Sequence, residues 1–399
     1  MADTPWLTIV GIGEDGVEGL CAPARAALAA ADLVTGATRH LALLRGVTAT
    51  AQPWPVPFEH GVPWLLEQRG RRVVMLVSGD PFWFGAGTVL AGHLAVGEWI
   101  AHPAPGTFSL AAARLGWPLE DTACLGLHAA PLTRLRPHLA RGRRAIVLLR
   151  DGPAVAALAG HLVDQGFGAS TLHVLEALGG PRERIRTTTA ADLTFTDVAH
   201  PVAVGVAVDG DGDTLPRTTG LADRWFEHDG QISKRPIRAL TLSALAPRLG
   251  EVLWDIGAGS GSIGIEWLLA HPSTHATAFE ADPVRAARAR ANAAALGVDR
   301  LRVVEGRAPV VLAGHPPPDA VFVGGGLSDD LLGALWALLV PKTRLVANAV
   351  TLESEALLSR WHAARGGSLL RIELSDVAAI GSRRGWRASY PVVQWSVTS

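Results

Sequence analysis

Apolar residues in this chain fall in short β-prone runs, many closed by turns that carry glycine or proline and several followed by a stretch of helical spacing. The first series has runs at 7–10, 71–77, 98–101, 145–149, 170–175 and 201–208, with helices expected at 23–31, 110–115 and 154–165. Proline at position 23 suits the first turn of a helix. A second series begins with helical spacing at 237–245. Strands follow at 251–254, at a run ending on Glu280, at 301–304, at 319–323 and at 345–350. The stretch 369–399 supplies two more strands. Alternation of strand and helix predicts α/β layering in both series. The segment 209–213, Asp-Gly-Asp-Gly-Asp, reads as a polar break. We expect domains at 1–210 and 229–399, joined by a linker at 211–228.

The turns carry the candidate chemistry. After the 251–254 strand come Asp255, Ile256, Gly257, Ala258, Gly259, Ser260, Gly261, Ser262, Ile263 and Gly264, then a helix, then a strand ending at Glu280. A strand, a glycine turn, a helix N-terminus and a later acid form a nucleotide-cofactor cradle. Glu280 is placed to accept from the two hydroxyls of a ribose. Alternating Gly257, Gly259 and Gly261 fit the turn of Rossmann-like S-adenosylmethionine (SAM) methyltransferases. Gly259, Gly261 and Gly264 also satisfy the dinucleotide pattern G-x-G-x-x-G, and a merely structural turn is the third reading. Asp255 favours SAM, because an anion there opposes a pyrophosphate and suits an ammonium and a sulfonium. Near the N-terminus Gly11, Gly13 and Gly16 follow a strand, with Asp32 further on. Taken alone, these predict a dinucleotide site.

Composition narrows the classes. With 399 residues, two or three domains are expected. Apolar residues make up 48% and charged residues 18%, which is a globular balance. A net charge of −1 argues against wrapping nucleic acid. Lys234 and Lys342 are the only lysines, so nearly all positive charge is arginine. Codon bias explains that most simply; bidentate grip on carboxylates is the sharper reading. Cys21 and Cys124 give neither a disulfide framework nor a zinc spacing. Residues 1–10 lack a signal-peptide pattern, and no apolar run reaches the ~18 residues of a membrane span. A cytoplasmic, soluble chain without membrane contact is expected. The 209–213 segment lacks the glutamate and flanking helices of a calcium loop. His271 and His275 are separated by Pro272, which breaks the helix that would align them. No metal site is expected.

The ordered motifs support a resemblance over nearly the whole chain. The first ~210 residues resemble the tetrapyrrole methylases, the class III SAM enzymes. Val10 to Gly13, Gly79-Asp80-Pro81 and Pro105 to Ser109 carry the match, with Leu127-His128-Ala129 and Gly179-Gly180-Pro181 plus Arg184 at later loops. Glu14 departs from it, since many relatives have proline there. The second half resembles the decarboxylating precorrin methyltransferases through Asp229-Gly230-Gln231-Ile232, Lys234-Arg235, Asp255 to Gly264, Glu280 and Gly324-Gly325-Gly326. The fold implied is a two-lobed tetrapyrrole-methylase domain followed by a Rossmann-like class I domain. This implication replaces the dinucleotide reading of Gly11 to Gly16.

The resemblance implies SAM-dependent methylation of a precorrin in cobalamin biosynthesis. The N-terminal half would act at carbon 5. The C-terminal half would act at carbon 15 and remove the carbon-12 acetate carboxyl, giving precorrin-8. Its implied SAM contacts are Gly11, Gly13, Ser78, Gly79, Asp80, Phe108 and Ser109 in the first half. In the second they are Gln231, Asp255, Gly257, Ala258, Gly259, Ser260, Gly261, Glu280 and Ala308. A polycarboxylate substrate needs cations, and Arg235, Arg238, Arg307, Arg383, Arg384 and Arg387 are the candidates. The last three are read as one basic loop. Arg285, Arg288 and Arg290 read as a solvated helix face. The nucleophile is a macrocycle carbon, so no catalytic side chain is assigned. A homo-oligomer, with transient contacts to neighbouring pathway enzymes, is also implied. The rival readings are a class I RNA methyltransferase fused to a SAM-binding module, a two-Rossmann oxidoreductase and an inactive SAM-sensing scaffold.

Overall fold

Leu7, Ile9, Val10 and Ile12 dominate the first strand, β1 (Leu7–Ile12), and nearly all of it is buried, as a strand covered on both faces requires. In this computed structural model, residues 5–44, 46 and 48–399 are described. The signal-peptide reading therefore lies in part outside the described residues. Strands β2 (Leu33–Gly36), β3 (Thr50–Pro53), β4 (Val73–Ser78) and β5 (Trp99–His102) complete an all-parallel sheet ordered β3-β2-β4-β1-β5. A second sheet holds β6 (Thr122–Gly126), β7 (Arg144–Leu149), β8 (Thr171–Glu176), β9 (Arg184–Thr189) and β10 (Val202–Ala207), ordered β6-β7-β10-β8-β9. Its central strand β10 runs antiparallel to both neighbours. These two sheets are the lobes of one compact unit, Met1–Pro131 with His138–Asp213.

The other unit comprises Leu132–Pro137 and Thr214–Ser399. Its strands are β11 (Val252–Ile256), β12 (His275–Glu280), β13 (Arg302–Glu305), β14 (Ala320–Val323), β15 (Arg344–Ala349) and β16 (Ser368–Ile372). They are followed by β17 (Ser375–Ile380), β18 (Arg383–Ala388) and β19 (Val392–Thr398). The main sheet is ordered β13-β12-β11-β14-β15-β19-β16. Its first five members are parallel, and β19 is antiparallel to both β15 and β16. The strand order reverses at β11, which lies between β12 and β14. In an open α/β sheet such a switch point is where ligands bind. The helix Ser262–Ala270 is apolar almost all round and its first seven residues are buried, as expected of a helix enclosed by the protein.

Three sequence readings need correction here. The helix expected at 110–115 begins at Thr107, so Phe108 and Ser109 lie on its first turn. The stretch from 369 onward gives four strands, not two, because β17 and β18 form a separate hairpin. The basic segment around Arg383, Arg384 and Arg387 is therefore strand β18, not a loop. Several short strands were left unread, buried β2 among them, and some carry little apolar content. All four residues of β3, for example, are exposed. Among the described residues no helix is long and apolar enough to cross a membrane.

Candidate functional site

In the first unit, three strand ends meet backbone to backbone. Gly79 donates to Ile12 O at 3.1 Å, and Ala104 donates to Gly79 O at 3.2 Å. A Cβ on Gly11 would lie 1.9 Å from Gly79 O, and one on Gly79 would lie 2.7 Å from Gly106 Cα. Gly79 also has φ +52, a region that side-chain-bearing residues avoid. No larger residue could bring these ends together. Gly13 follows β1, and Asp80 folds back to accept from Phe82 N at 2.8 Å. Ser78 is exposed at the end of β4, and its hydroxyl contacts Arg39 at 2.6 Å and His40 at 3.1 Å. Burial pushes the His40 pKa down to about 3, with the Arg39 charge adding to the effect. Phe108 is buried beneath Trp83 and Phe84, with ring centroids 5.0 and 5.8 Å away. Ser109 follows it, half-buried. Phe82, Trp83 and Phe84 are all substantially exposed. Their grouping beside the Ser78–Asp80 turn was visible in the sequence, but no role was read from it.

The second unit repeats the design with different parts. Gly257, Gly259 and Gly261 have φ of +68, +57 and +76. A Cβ on Gly257 would lie 2.6 Å from Gly325, so the glycines after β14 are pressed against the turn after β11. A Cβ on Gly259 would meet only Gln231 O, at 3.8 Å, so this glycine borders open space. Glu280 accepts from Gly259 N at 2.8 Å and from Asp282 N at 3.0 Å. The strand end and the glycine turn are thereby tied together. Ala258 is half-buried, and Ser260 is buried with its carbonyl held by Asn292. Ala308 packs against the core beside β13, and Arg307 next to it is exposed.

Gln231 is fixed from the side. Its Oε1 accepts from Arg285 at 2.8 Å, while Asp229 receives Gln231 N, Arg285 and Arg288 at 3.0, 2.9 and 3.2 Å. These bonds, the backbone one from Gln231 first, hold the Asp229 carboxyl down at about 2. Arg285 and Arg288 are therefore clamps, contrary to the solvated-face reading. Arg290 pairs with Glu305 on a half-exposed face.

Two site expectations fail on burial. Asp255 is completely enclosed, and its Oδ2 accepts from Gly264 N at 2.9 Å beneath the turn. Burial first, and the nearby Glu280 charge next, raise its pKa to about 7 against the Gly264 bond that lowers it. It braces the turn and presents no anion to a ligand. Arg238 is also enclosed: it pairs with Glu266 and Asp223, and donates to the carbonyls of Ser233 and Leu221. With its donors spent on the protein, it is not free for a substrate. Arg235, Arg307, Arg383, Arg384 and Arg387 are exposed and carry no ion pair among the described residues. Among the described residues hairpin β17–β18 pairs only with itself, and no hydrogen bond or ion pair joins its arginines to the Gly257–Gly261 turn. No group of acidic, histidine or cysteine side chains suited to a metal occurs among the described residues.

Comparison with known proteins gives this geometry a family. A tetrapyrrole (corrin/porphyrin) methylase model matches residues 6–194, and a precorrin methyltransferase domain model matches residues 224–399. A Sinorhizobium protein named precorrin-6Y C(5,15)-methyltransferase [decarboxylating] is 50% identical over 99% of this chain and 97% of its own. The Mycobacterium tuberculosis protein of the same name is 41% identical over 98% of this chain and 99% of its own. A shorter Salmonella typhimurium relative, named cobalt-precorrin-6B C(15)-methyltransferase (decarboxylating), is 32% identical over 40% of this chain and 85% of its own. With two glycine cradles in this order and end-to-end identity of this degree, the chain belongs to the decarboxylating precorrin-6Y C5,15-methyltransferases.

Proposed function

We propose that the chain methylates a precorrin twice, using SAM in both units, and removes one carboxyl as carbon dioxide. The unit at 1–210 serves carbon 5. The unit at 229–399 serves carbon 15 and the decarboxylation of the carbon-12 acetate, giving precorrin-8. The observation that carries this reading is the presence of two separately built glycine cradles in one chain with full-length identity to relatives of that name. A relative whose match has the length of one unit is named for the carbon-15 step and decarboxylation alone. Nothing favours the RNA-methyltransferase reading.

When bound, SAM supplies a methyl group on a positively charged sulfur, ready for in-line displacement. The residues here have to hold and orient it. Gly257 to Gly261 offer backbone at close range, as their φ values allow. Glu280 is fixed by two backbone donors, and a carboxylate has acceptor capacity left for ribose hydroxyls. Gln231 and Ala308 border this cradle. Gly11, Gly13, Ser78, Gly79, Asp80, Phe108 and Ser109 form the other. The electron-rich macrocycle carbon is the nucleophile, so positioning is the protein's main task, worth up to ~7–11 kcal/mol in favourable cases. Arg235, Arg307, Arg383, Arg384 and Arg387 are free to meet substrate carboxylates. In this reading the active species is taken to be a homo-oligomer with transient contacts to neighbouring pathway enzymes.

Filling each cradle tests the assignment. Gly257→Val in the full chain places a side chain against Gly325, and should abolish carbon-15 methylation and carbon dioxide release. Gly79→Val should abolish carbon-5 methylation. Product masses with labelled SAM report both, and loss of the opposite methyl in either variant would refute the allotment.

A further inference from the structure

Glu14 stands where the sequence departs from its resemblance, and its surroundings give it a task. Its carboxylate is shared by two arginines. Arg39 Nη1 donates to Oε1 at 2.7 Å, and Arg182 Nη2 donates to Oε2 at 2.9 Å. The Glu14 side chain is only 10% exposed, whereas those of Arg39 and Arg182 are 35% and 62% exposed. The three come from separate places: the turn after β1, the short helix Thr38–Leu41 after β2, and the turn between β8 and β9. Both turns press together at Gly180, where a Cβ would lie 2.5 Å from Glu14 Cβ.

The position of the cluster matters. Ser78 ends β4, and Glu14 and Arg39 follow the C-terminal ends of β1 and β2 in the same parallel sheet, the edge where α/β sheets take their ligands. Arg39 uses its second nitrogen on Ser78 Oγ, at 2.6 Å, so it touches the cradle assigned above. Two guanidinium groups face one carboxylate, which leaves a surplus positive charge. Partial burial first, and the nearby Arg182 charge, lower the Arg39 pKa against the pull of Glu14. A guanidinium, planar with a fork of donors, is also the group that best matches a carboxylate.

We propose that Arg39 and Arg182 bind a side-chain carboxylate of the macrocycle during carbon-5 methylation, and that Glu14 is the internal carboxylate they hold until the substrate's replaces it. This rests on the assignment of carbon-5 methylation to the first unit. A purely structural latch between the two lobes is the competing account, and the two differ in sign. If Glu14 competes with the substrate, removing its charge helps binding. If it only joins the lobes, removing it does harm.

The experiment is steady-state carbon-5 methylation by the full chain, with precorrin as the varied substrate and labelled SAM at saturation. Arg39→Gln should raise the KM for precorrin about tenfold or more, and the exposed Arg182→Gln should raise it less. Glu14→Gln should lower it. A raised KM in Glu14→Gln, or an unchanged KM in both arginine variants, overturns the proposal. Thermal melting of Arg182→Gln, whose side chain is largely in solvent, guards against misreading a folding defect. Gly79→Val serves as the control: if carbon-5 methylation survives it, the assignment to this unit is wrong. If methylation is lost there but the arginine variants bind normally, only the carboxylate subsite is wrong.

Discussion

Asp255 shows how much a single side chain can differ from what its place in a motif suggests. Its carboxyl is enclosed and its pKa stands at about 7, against 3.8 for a free aspartate. Between those values the folded chain keeps a proton that the unfolded chain has released. The stability contribution is thus full below about pH 4, declines as pH rises, and is lost above about 7. Asp255→Asn should leave stability near pH 4 almost unchanged and raise the melting temperature at pH 8. Its ceiling is the ionisation cost, at most about 4 kcal/mol. Melting curves at the two pH values check this, and an equal effect at both would refute it. The glycines, by contrast, were legible in the sequence. Gly257, Gly259 and Gly261 adopt positive φ, a demand that residue type alone announces. The direction in which Asp255 points is set by tertiary packing under Gly264, and no spacing rule encodes that.

At the scale of elements, two segments behave differently from their composition. The charged linker region is not loose. Gly220 and Leu221 donate to Glu266, which also holds Arg238, and Phe226 lies under the same guanidinium. This buried cluster fixes the path from residue 220 to Ser233, and with it the approach of Gln231 to the Gly259 turn. Removing one partner of a buried pair strands the other charge, at a cost of about 3–5 kcal/mol. Arg238→Ala should therefore lower the unfolding free energy by that order. Replacing Arg238 and Glu266 together with Met and Leu would also strand the Gly220 and Leu221 amides, so it should cost no less, as denaturant titration would show. The sequence presented Arg238 as one more arginine after a helix start, indistinguishable from exposed Arg235. The hairpin β17–β18 is the opposite case. Its arginines looked like a loop because glycines flank them, yet Arg383 to Ala388 pairs in register with Ser375 to Ile380. If these free cations meet substrate, Arg383→Ala with Arg384→Ala should raise the KM for precorrin about tenfold and leave the KM for SAM unchanged. No change in the former would remove them from the site.

For the whole molecule, the strand orders explain why the outline was readable. The alternation of runs and turns specifies α/β layering, and the first five strands of the main sheet follow it in parallel. The inserted antiparallel β19, and β10 at the centre of its sheet, have no local signature, because strand order is decided by which edge remains open when a segment arrives. The two cradles, likewise, both satisfy a G-x-G-x-x-G spacing in the sequence. Their construction differs: one joins three strand ends through backbone, and the other hangs on Glu280 and the glycines after β14.

Glu280 lies almost wholly out of water, with 7% exposure, while the arginines of β18 stand in it. Added electrolyte screens charges in bulk solvent far more than those shielded by protein. Raising sodium chloride from about 0.05 to 0.5 M, which cuts the Debye length several-fold, should therefore weaken capture of the anionic macrocycle and leave the grip on the methyl donor nearly constant. A plain ionic-strength series would then separate the two binding events kinetically without altering a residue.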